Sequence, residues 1–183
     1  VLTGGAGNDV FVFAAGDSGE TVYTKITDFG VQTSSFTQSA ANDTAAEFQS
    51  TGGAGISSTI DVLDLDSSTG VTFEANATAV ASADGTANVT YSVSAGIITL
   101  GGTGASGIDT LAKWIDEVED IVTGTDDQVA AFEFNGNTYV FQNDTGSADA
   151  VIELTGLTGV VGLDDIVSGN TTVTGGADYL LIA

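Results

Sequence analysis

The sequence contains no histidine, cysteine, proline or methionine, and its only basic side chains are Lys25 and Lys113. Without histidine or cysteine, the chain cannot form a Ser–His or Cys–His nucleophile pair or a zinc site of ordinary composition. Nucleic acid is not an expected partner, because binding phosphates requires more basic side chains than two. No apolar run approaches the ~20 residues that a helix needs to cross a bilayer, so we expect no transmembrane segment.

The chain has a large excess of negative charge. Its 25 Asp and Glu residues give a formal net charge of −23 at pH 7 over 183 residues. Disordered chains are often this charged, but they are poor in apolar residues, whereas 42% of this sequence is hydrophobic. We therefore expect a folded core that carboxylate repulsion opposes. Calcium (Ca²⁺) held by oxygen-rich loops would relieve the repulsion, and a salt-adapted acidic surface without a specific ion is the alternative.

Most of the sequence predicts short strands, because runs of Val, Thr, Ile and Phe alternate with Gly, Asn, Asp and Ser. The clearest signal is a hairpin in residues 132–141 around Asn135-Gly136, a pair that tolerates positive φ. All the predicted strands are Val10–Phe13, Thr21–Thr27, Thr59–Leu65, Val71–Phe73, Asn88–Val93, Ile97–Leu100, Val129–Phe134, Thr138–Gln142, Ala150–Leu154 and Thr171–Thr174. Residues 31–58 and 75–88 have few large side chains and predict surface loops or short edge strands.

Residues 108–122 have helical rather than strand periodicity. Asp109 is placed to cap the start of the predicted helix, and Gly124 follows its end. We interpret Trp114 as a core anchor. The charged residues Lys113, Asp116, Glu117, Glu119 and Asp120 fall mostly on the opposite side, which predicts a solvated helix face rather than a metal site.

Residues 4–12 (GGAGNDVFV) match the nine-residue pattern G-G-x-G-x-D-x-U-x at every specified position. Glycines at Gly5 and Gly7 allow a tight turn whose carbonyl oxygens point inward, and Asp9 adds a carboxylate. Phe11 is the apolar residue of the short strand that follows the turn within the same pattern. The pattern predicts a calcium site with ligands from Gly5, Gly7 and Asp9, although one repeat supplies only part of a coordination shell. An ordinary glycine-rich turn is the alternative.

The repeat is followed by residues 26–29 (ITDF) and residues 60–65 (IDVLDL). This series resembles the end of RTX (repeats-in-toxin) proteins, where a last repeat leads to I-x-D-F and then to D-x-I-D-L. The resemblance implies that Asp28, Asp61 and Asp64 help to hold further calcium ions. These aspartates stand further apart than is usual in that family, which implies an insertion.

The second half of the chain resembles the C-terminal regions of RTX-type bacterial surface-layer (S-layer) proteins. The similar features are the predicted helix, the hairpin in residues 131–141 and the segment 149–156 (DAVIELTG). Asp144 and Asp149 are either further ligands or turn residues. The final residues 178–183 (DYLLIA) resemble the uncleaved signal of type I secretion substrates, with a plain terminal edge strand as the alternative.

These observations predict an all-β fold: the end of a parallel β-roll joined to a β-sandwich-like C-terminal cap with one amphipathic helix. We expect residues 1–70 to hold the last RTX repeat and its capping strands, with an inserted loop at about 31–58. Residues 71–183 should form a β-rich domain containing helix 108–122 and the C-terminal secretion signal.

The resemblance implies a calcium-binding C-terminal module of a type I-secreted extracellular protein, an S-layer or other cell-surface structural protein that folds and assembles on calcium. Its expected partners are calcium, further copies in a lattice and a type I exporter. The alternatives are the secretion and folding module of an exported RTX enzyme, such as a serralysin-like protease or a lipase, and the terminal module of an RTX adhesin. We expect no enzymatic activity in this chain, because HExxH requires histidine and no G-x-S-x-G is present.

Overall fold

The structure is a computed structural model that describes residues 1–14, 16–31, 60–65, 71–82, 88–124, 127–143, 149–166 and 179–182. These residues form twelve strands and one α-helix, which confirms the predicted all-β class with a single helix. The strands are β1 (Val10–Val12), β2 (Thr24–Ile26), β3 (Val62–Asp64), β4 (Thr72–Phe73), β5 (Ala77–Ala81), β6 (Thr90–Ser94), β7 (Ile97–Gly101), β8 (Gln128–Phe134), β9 (Asn137–Asn143), β10 (Ala150–Leu154), β11 (Leu163–Ile166) and β12 (Tyr179–Ile182), and the helix is α1 (Leu111–Ile121).

The strands form two sheets. The large sheet has the order β2-β10-β9-β8-β7-β6-β5, and β4 pairs in parallel with β8. The small sheet has the order β1-β3-β12-β11. Strand β1, which consists of the last three residues of the glycine-rich repeat, pairs in parallel with β3, and Phe11 lies opposite Leu63. The small sheet therefore begins with the parallel pairing that the repeat predicts.

The large sheet is the middle of three layers, because alternate residues of its central strands face opposite sides. Val129 and Ala131 belong to the core shared with the small sheet, whereas Ala130 and Phe132 belong to the core shared with α1. Trp114 of α1 stacks on Phe132, with ring centroids 5.2 Å apart. Trp114 is thus half-buried and packs against the core, as predicted.

The hairpin β8–β9 turns at Asn135 and Gly136, whose φ angles are 49° and 80°, as the Asn-Gly pair predicts. The predicted helix cap is wrong. Thr110 caps α1, because its side-chain oxygen accepts a hydrogen bond from Lys113 N at 3.4 Å. Asp109 instead accepts a hydrogen bond from Lys113 Nζ at 2.7 Å. Within the described part of the chain, no helix is long and apolar enough to cross a membrane.

Strand β11 was not predicted, and strands at β5 and β12 were predicted only as alternatives. Strand β5 lies in the segment 75–88 and is an exposed edge strand of the large sheet, one of the two alternatives that the sequence left open. The predicted strand Thr171–Thr174 and nearly all of the predicted insertion at 31–58 lie outside the described residues.

Both sheets combine strands from the two predicted domains. In the large sheet, β2 pairs with β10, and in the small sheet β3 pairs with β12. Strand β12 lies between β3 and β11, and its residues Leu180 and Ile182 are completely buried. Strands from both sides of the boundary predicted at residue 70 therefore pair within each sheet. The C-terminal segment is an inner strand rather than an edge strand.

Candidate calcium sites

Residues 4–9, here called the glycine turn, precede β1. Gly5 and Gly7 have φ angles of 100° and 129°, which side chains with a Cβ rarely adopt. A Cβ on Gly4 would lie 2.6 Å from Asp9 Oδ2, so the missing side chain at Gly4 lets the Asp9 carboxylate lie against the turn. The glycines thus serve the close turn that the sequence pattern predicts.

Two of the predicted site residues, Asp28 and Asp61, bind backbone amides of this region. Asp28 Oδ1 accepts a hydrogen bond from Gly4 N at 3.0 Å, and Asp28 Oδ2 accepts one from Gly5 N at 2.8 Å. Asp61 Oδ1 accepts from Asp9 N at 2.9 Å. The structure therefore brings Asp9, Asp28 and Asp61 together around one turn, although they are distant in sequence.

Asp61 is buried, with 4% of its surface exposed. Burial raises the pKa of its carboxyl group above the ordinary value, and the charges of Asp9 and Asp28 raise it further. The hydrogen bonds from Gly30 N and Asp9 N act in the opposite direction, because they stabilise the charged form. This negatively charged region would be stabilised by a cation.

Asp9 is the member of this group with an unsatisfied oxygen. Its Oδ2 atom is buried and has no hydrogen-bond partner. A buried carboxylate oxygen without a donor is unfavourable, and a hard cation such as calcium takes oxygen ligands of this kind. The Asp9 carboxylate therefore fits the predicted metal.

Asp64, the fourth of the predicted aspartates, is the last residue of β3 and lies opposite Val12. Its backbone carbonyl accepts a hydrogen bond from Phe13 N at 2.8 Å. The residue is half-buried.

A second acidic group, here called the acidic cluster, consists of Glu20, Glu119 and Asp149. Each of these residues offers a carboxylate oxygen, and the three oxygens lie within 4.8 Å of one another. Ligand oxygens on opposite sides of a calcium ion are also about 4.8 Å apart. Among the residues that the structure describes, no other group of three acidic side chains is this close.

The acidic cluster joins three segments of the chain: the connection before β2, helix α1 and the residue before β10. The buried Ser18 fixes the first of these, because its hydroxyl donates a hydrogen bond to the Val151 carbonyl and accepts one from Thr24 N. Gly19 lies against the Asp149 backbone, where a Cβ would be 4.0 Å from the Asp149 carbonyl oxygen. These contacts place Glu20 beside Asp149.

The surroundings of the acidic cluster perturb the Glu119 carboxyl group. Burial, the charge of Glu20, a side-chain hydrogen bond with Glu20 and the charges of Asp149 and Asp116 raise the pKa of Glu119 to about 7. A hydrogen bond between two carboxyl groups requires one of them to hold a proton. The cluster therefore needs either a proton or a cation.

Sequence reasoning missed Glu20 and assigned Glu119 to a solvated helix face. The face is not uniformly solvated: Glu117 is 1% exposed, and its Oε2 accepts a hydrogen bond from Ser82 Oγ at 2.6 Å. Ser82, which directly follows β5, contacts this side of α1, and helical periodicity does not reveal that contact. Of the two further aspartates considered, Asp149 is in the acidic cluster and Asp144 lies outside the described residues.

Comparisons with family models, curated proteins and solved structures found no match for this chain.

Proposed function

We propose that this chain is a calcium-binding module of a type I-secreted extracellular protein, an S-layer or other cell-surface structural protein. In this proposal, the glycine turn and the acidic cluster each hold calcium, and the ions stabilise the folded chain. Binding, folding and assembly at the cell surface are then linked through the same carboxylates.

The observation that carries the proposal is the close approach of three carboxylates in the acidic cluster, where burial and the neighbouring acidic groups raise the pKa of Glu119 to about 7. The chain has only two basic side chains, and both form ion pairs elsewhere. Lys25 Nζ is 2.7 Å from Glu153 Oε2, and Lys113 Nζ is 2.7 Å from Asp109 Oδ1. A bound cation would stabilise the charged form of the three clustered carboxylates.

The glycine turn supports the same conclusion independently. Its sequence matches a calcium-binding repeat, its two glycines have positive φ, and the Asp9 carboxylate has a buried oxygen without a donor. Calcium is favoured over magnesium because it accepts irregular sets of oxygen ligands, whereas magnesium requires near-octahedral geometry.

Thermal melting and circular dichroism in chelator, in millimolar calcium and in millimolar magnesium test this function. Each site should stabilise the chain by about 2.7 kcal/mol when calcium is at a hundredfold excess over Kd. We expect a higher Tm and a stronger β signal in calcium, with a smaller effect of magnesium. An unchanged Tm and β signal in calcium would favour the acidic surface without a specific ion.

The cellular part of the proposal rests on the resemblance of the repeat and of the C-terminal segment to RTX proteins. An exported chain would meet little calcium inside the cell and more outside it, so its folding would follow export. In a surface lattice, calcium would bridge carboxylates of neighbouring copies, because almost no basic side chains are present to pair with them.

A further inference from the structure

The two oxygens of Asp28, and likewise the two oxygens of Asp61, are already occupied by backbone amides. Asp28 binds Gly4 N and Gly5 N, at the start of the glycine turn. Asp61 binds Asp9 N, at the end of the turn, and Gly30 N at 2.7 Å. Two carboxylates thus hold both ends of the turn through three of its N–H groups, and Asp61 also binds Gly30 N outside the turn.

Asp61 and its neighbours also join the turn to two distant segments. Gly30 N binds the Asp61 side chain, and Asp61 N donates to the Gly30 carbonyl at 2.9 Å. Ile60 N donates to Asn8 Oδ1 at 3.2 Å. The carboxylate of Asp61 therefore lies where residues 8–9, residue 30 and residues 60–61 meet, and its removal would loosen all three.

We propose that Asp28 and Asp61 are positioning residues that hold the glycine turn in its cation-binding shape, and that Asp9 is the residue among the three that contacts the cation. The inference rests on the proposed calcium binding of the turn and assigns different roles to the three aspartates. Asp28 and Asp61 bind the amide side of the turn, whereas Asp9 keeps a buried oxygen without a donor.

The proposal predicts different consequences for the same change, Asp to Asn. In D28N and D61N, the amide keeps one acceptor oxygen but directs an NH₂ group at a backbone N–H, so at least one hydrogen bond is lost. In D9N, no hydrogen bond of Oδ2 is lost, because that atom has none. Asp17→Asn is the matched control, since Asp17 is exposed and its Oδ2 accepts a hydrogen bond from the local Ala14 N.

Thermal melting in chelator is the first measurement. We expect D28N and D61N to melt several degrees below D17N, and D9N to melt at or above the wild-type temperature. Because Asp28 is exposed, D28N should still fold if D61N does not. Amide exchange adds a local measurement: in D28N, Gly4 N and Gly5 N should exchange at least about tenfold faster, as expected for loss of a charged hydrogen bond.

Calorimetric calcium titration of the same variants is the second measurement. D9N should bind one calcium ion fewer per chain, whereas D28N should bind the wild-type number with a weaker Kd. The proposal is overturned if D28N melts with D17N in chelator and keeps slow Gly4 and Gly5 exchange, or if it loses one ion as D9N does. If the wild-type chain binds no calcium, the proposed function fails, and the melting and exchange data still decide whether Asp28 and Asp61 hold the turn.

Discussion

Replacing Glu119 by Gln should stabilise the chain in chelator and weaken its response to calcium. At pH 8, above the Glu119 pKa of about 7, this side chain carries a negative charge beside Glu20 and Asp149. The substitution removes that charge, and the new amide can donate a hydrogen bond to a neighbouring carboxylate. In calcium, the effect should reverse, because a neutral amide is a poorer ligand than a carboxylate.

The magnitude follows from the geometry of the acidic cluster. Two unit charges 4.8 Å apart repel one another by about 0.9 kcal/mol in a water-like dielectric. Glu119 takes part in two such pairs. The water-like value applies because Glu20 is exposed and the other two residues are only half-buried. We expect a gain of about 1–2 kcal/mol in chelator, or about 2–8 °C in Tm for a chain of this length.

Thermal melts of E119Q and the wild-type chain in chelator and in millimolar calcium measure both effects. Asp120→Asn is the control, because it removes the same charge from α1 at a residue outside the acidic cluster. E119Q should melt above both other chains in chelator and gain less than they do from calcium. The reasoning is refuted if E119Q melts below the wild type in chelator, or if calcium raises all three Tm values equally.

Three further substitutions or measurements test other parts of the structure. Gly4→Ala should weaken calcium binding in a calorimetric titration, because its Cβ would lie 2.6 Å from Asp9 Oδ2. Gly107→Ala is the control, because a Cβ there meets nothing within 4 Å, and equal titrations of the two variants would contradict the expectation. Ser18→Ala should lower the free energy of unfolding, measured in denaturant, by about 1–3 kcal/mol, since it leaves two backbone groups unpaired. Ser94→Ala, at an exposed serine, is the control and should change it little; equal losses in the two variants would argue against the structural role of Ser18. Light scattering at high protein concentration should show self-association in millimolar calcium, and a strict monomer would count against calcium-bridged assembly.

Local sequence signals predicted the elements whose shape depends on neighbouring residues. The Asn135-Gly136 turn, the periodicity of α1 and the alternation along β8 each reflect a backbone preference or a two-sided environment within one segment. The positive φ of Gly5 and Gly7 belongs to the same class, because a short turn determines it. Such features are encoded within about ten residues.

The features that the sequence did not predict depend on contacts between segments that are distant along the chain. Glu20, Glu119 and Asp149 come together only because Ser18 binds β10 and α1 packs on the same sheet. Their spacing along the chain carries no motif. Strand β12 was predicted only as the alternative, a terminal edge strand, because its four residues carry little pattern, and its place between β3 and β11 depends on tertiary packing.

The buried C-terminal strand changes how its proposed role in export can be tested. Deleting residues 178–183 would remove β12 from the small sheet, so a loss of secretion would not separate a missing signal from a misfolded chain. Leu180 and Leu63 provide a matched pair, because they face each other across β12 and β3 and are both completely buried.

Either Leu to Ala change should cost about 2–5 kcal/mol of folding free energy, but only L180A alters the C-terminal segment. If an exporter recognises this segment before the chain folds, L180A should be secreted less than L63A at equal expression, while both melt at similar temperatures in calcium. Equal secretion of the two variants would contradict recognition through Leu180 and leave it only a role in the small sheet. Burial of Leu180 in the folded chain also requires that such recognition precede folding, which agrees with a fold that calcium completes outside the cell.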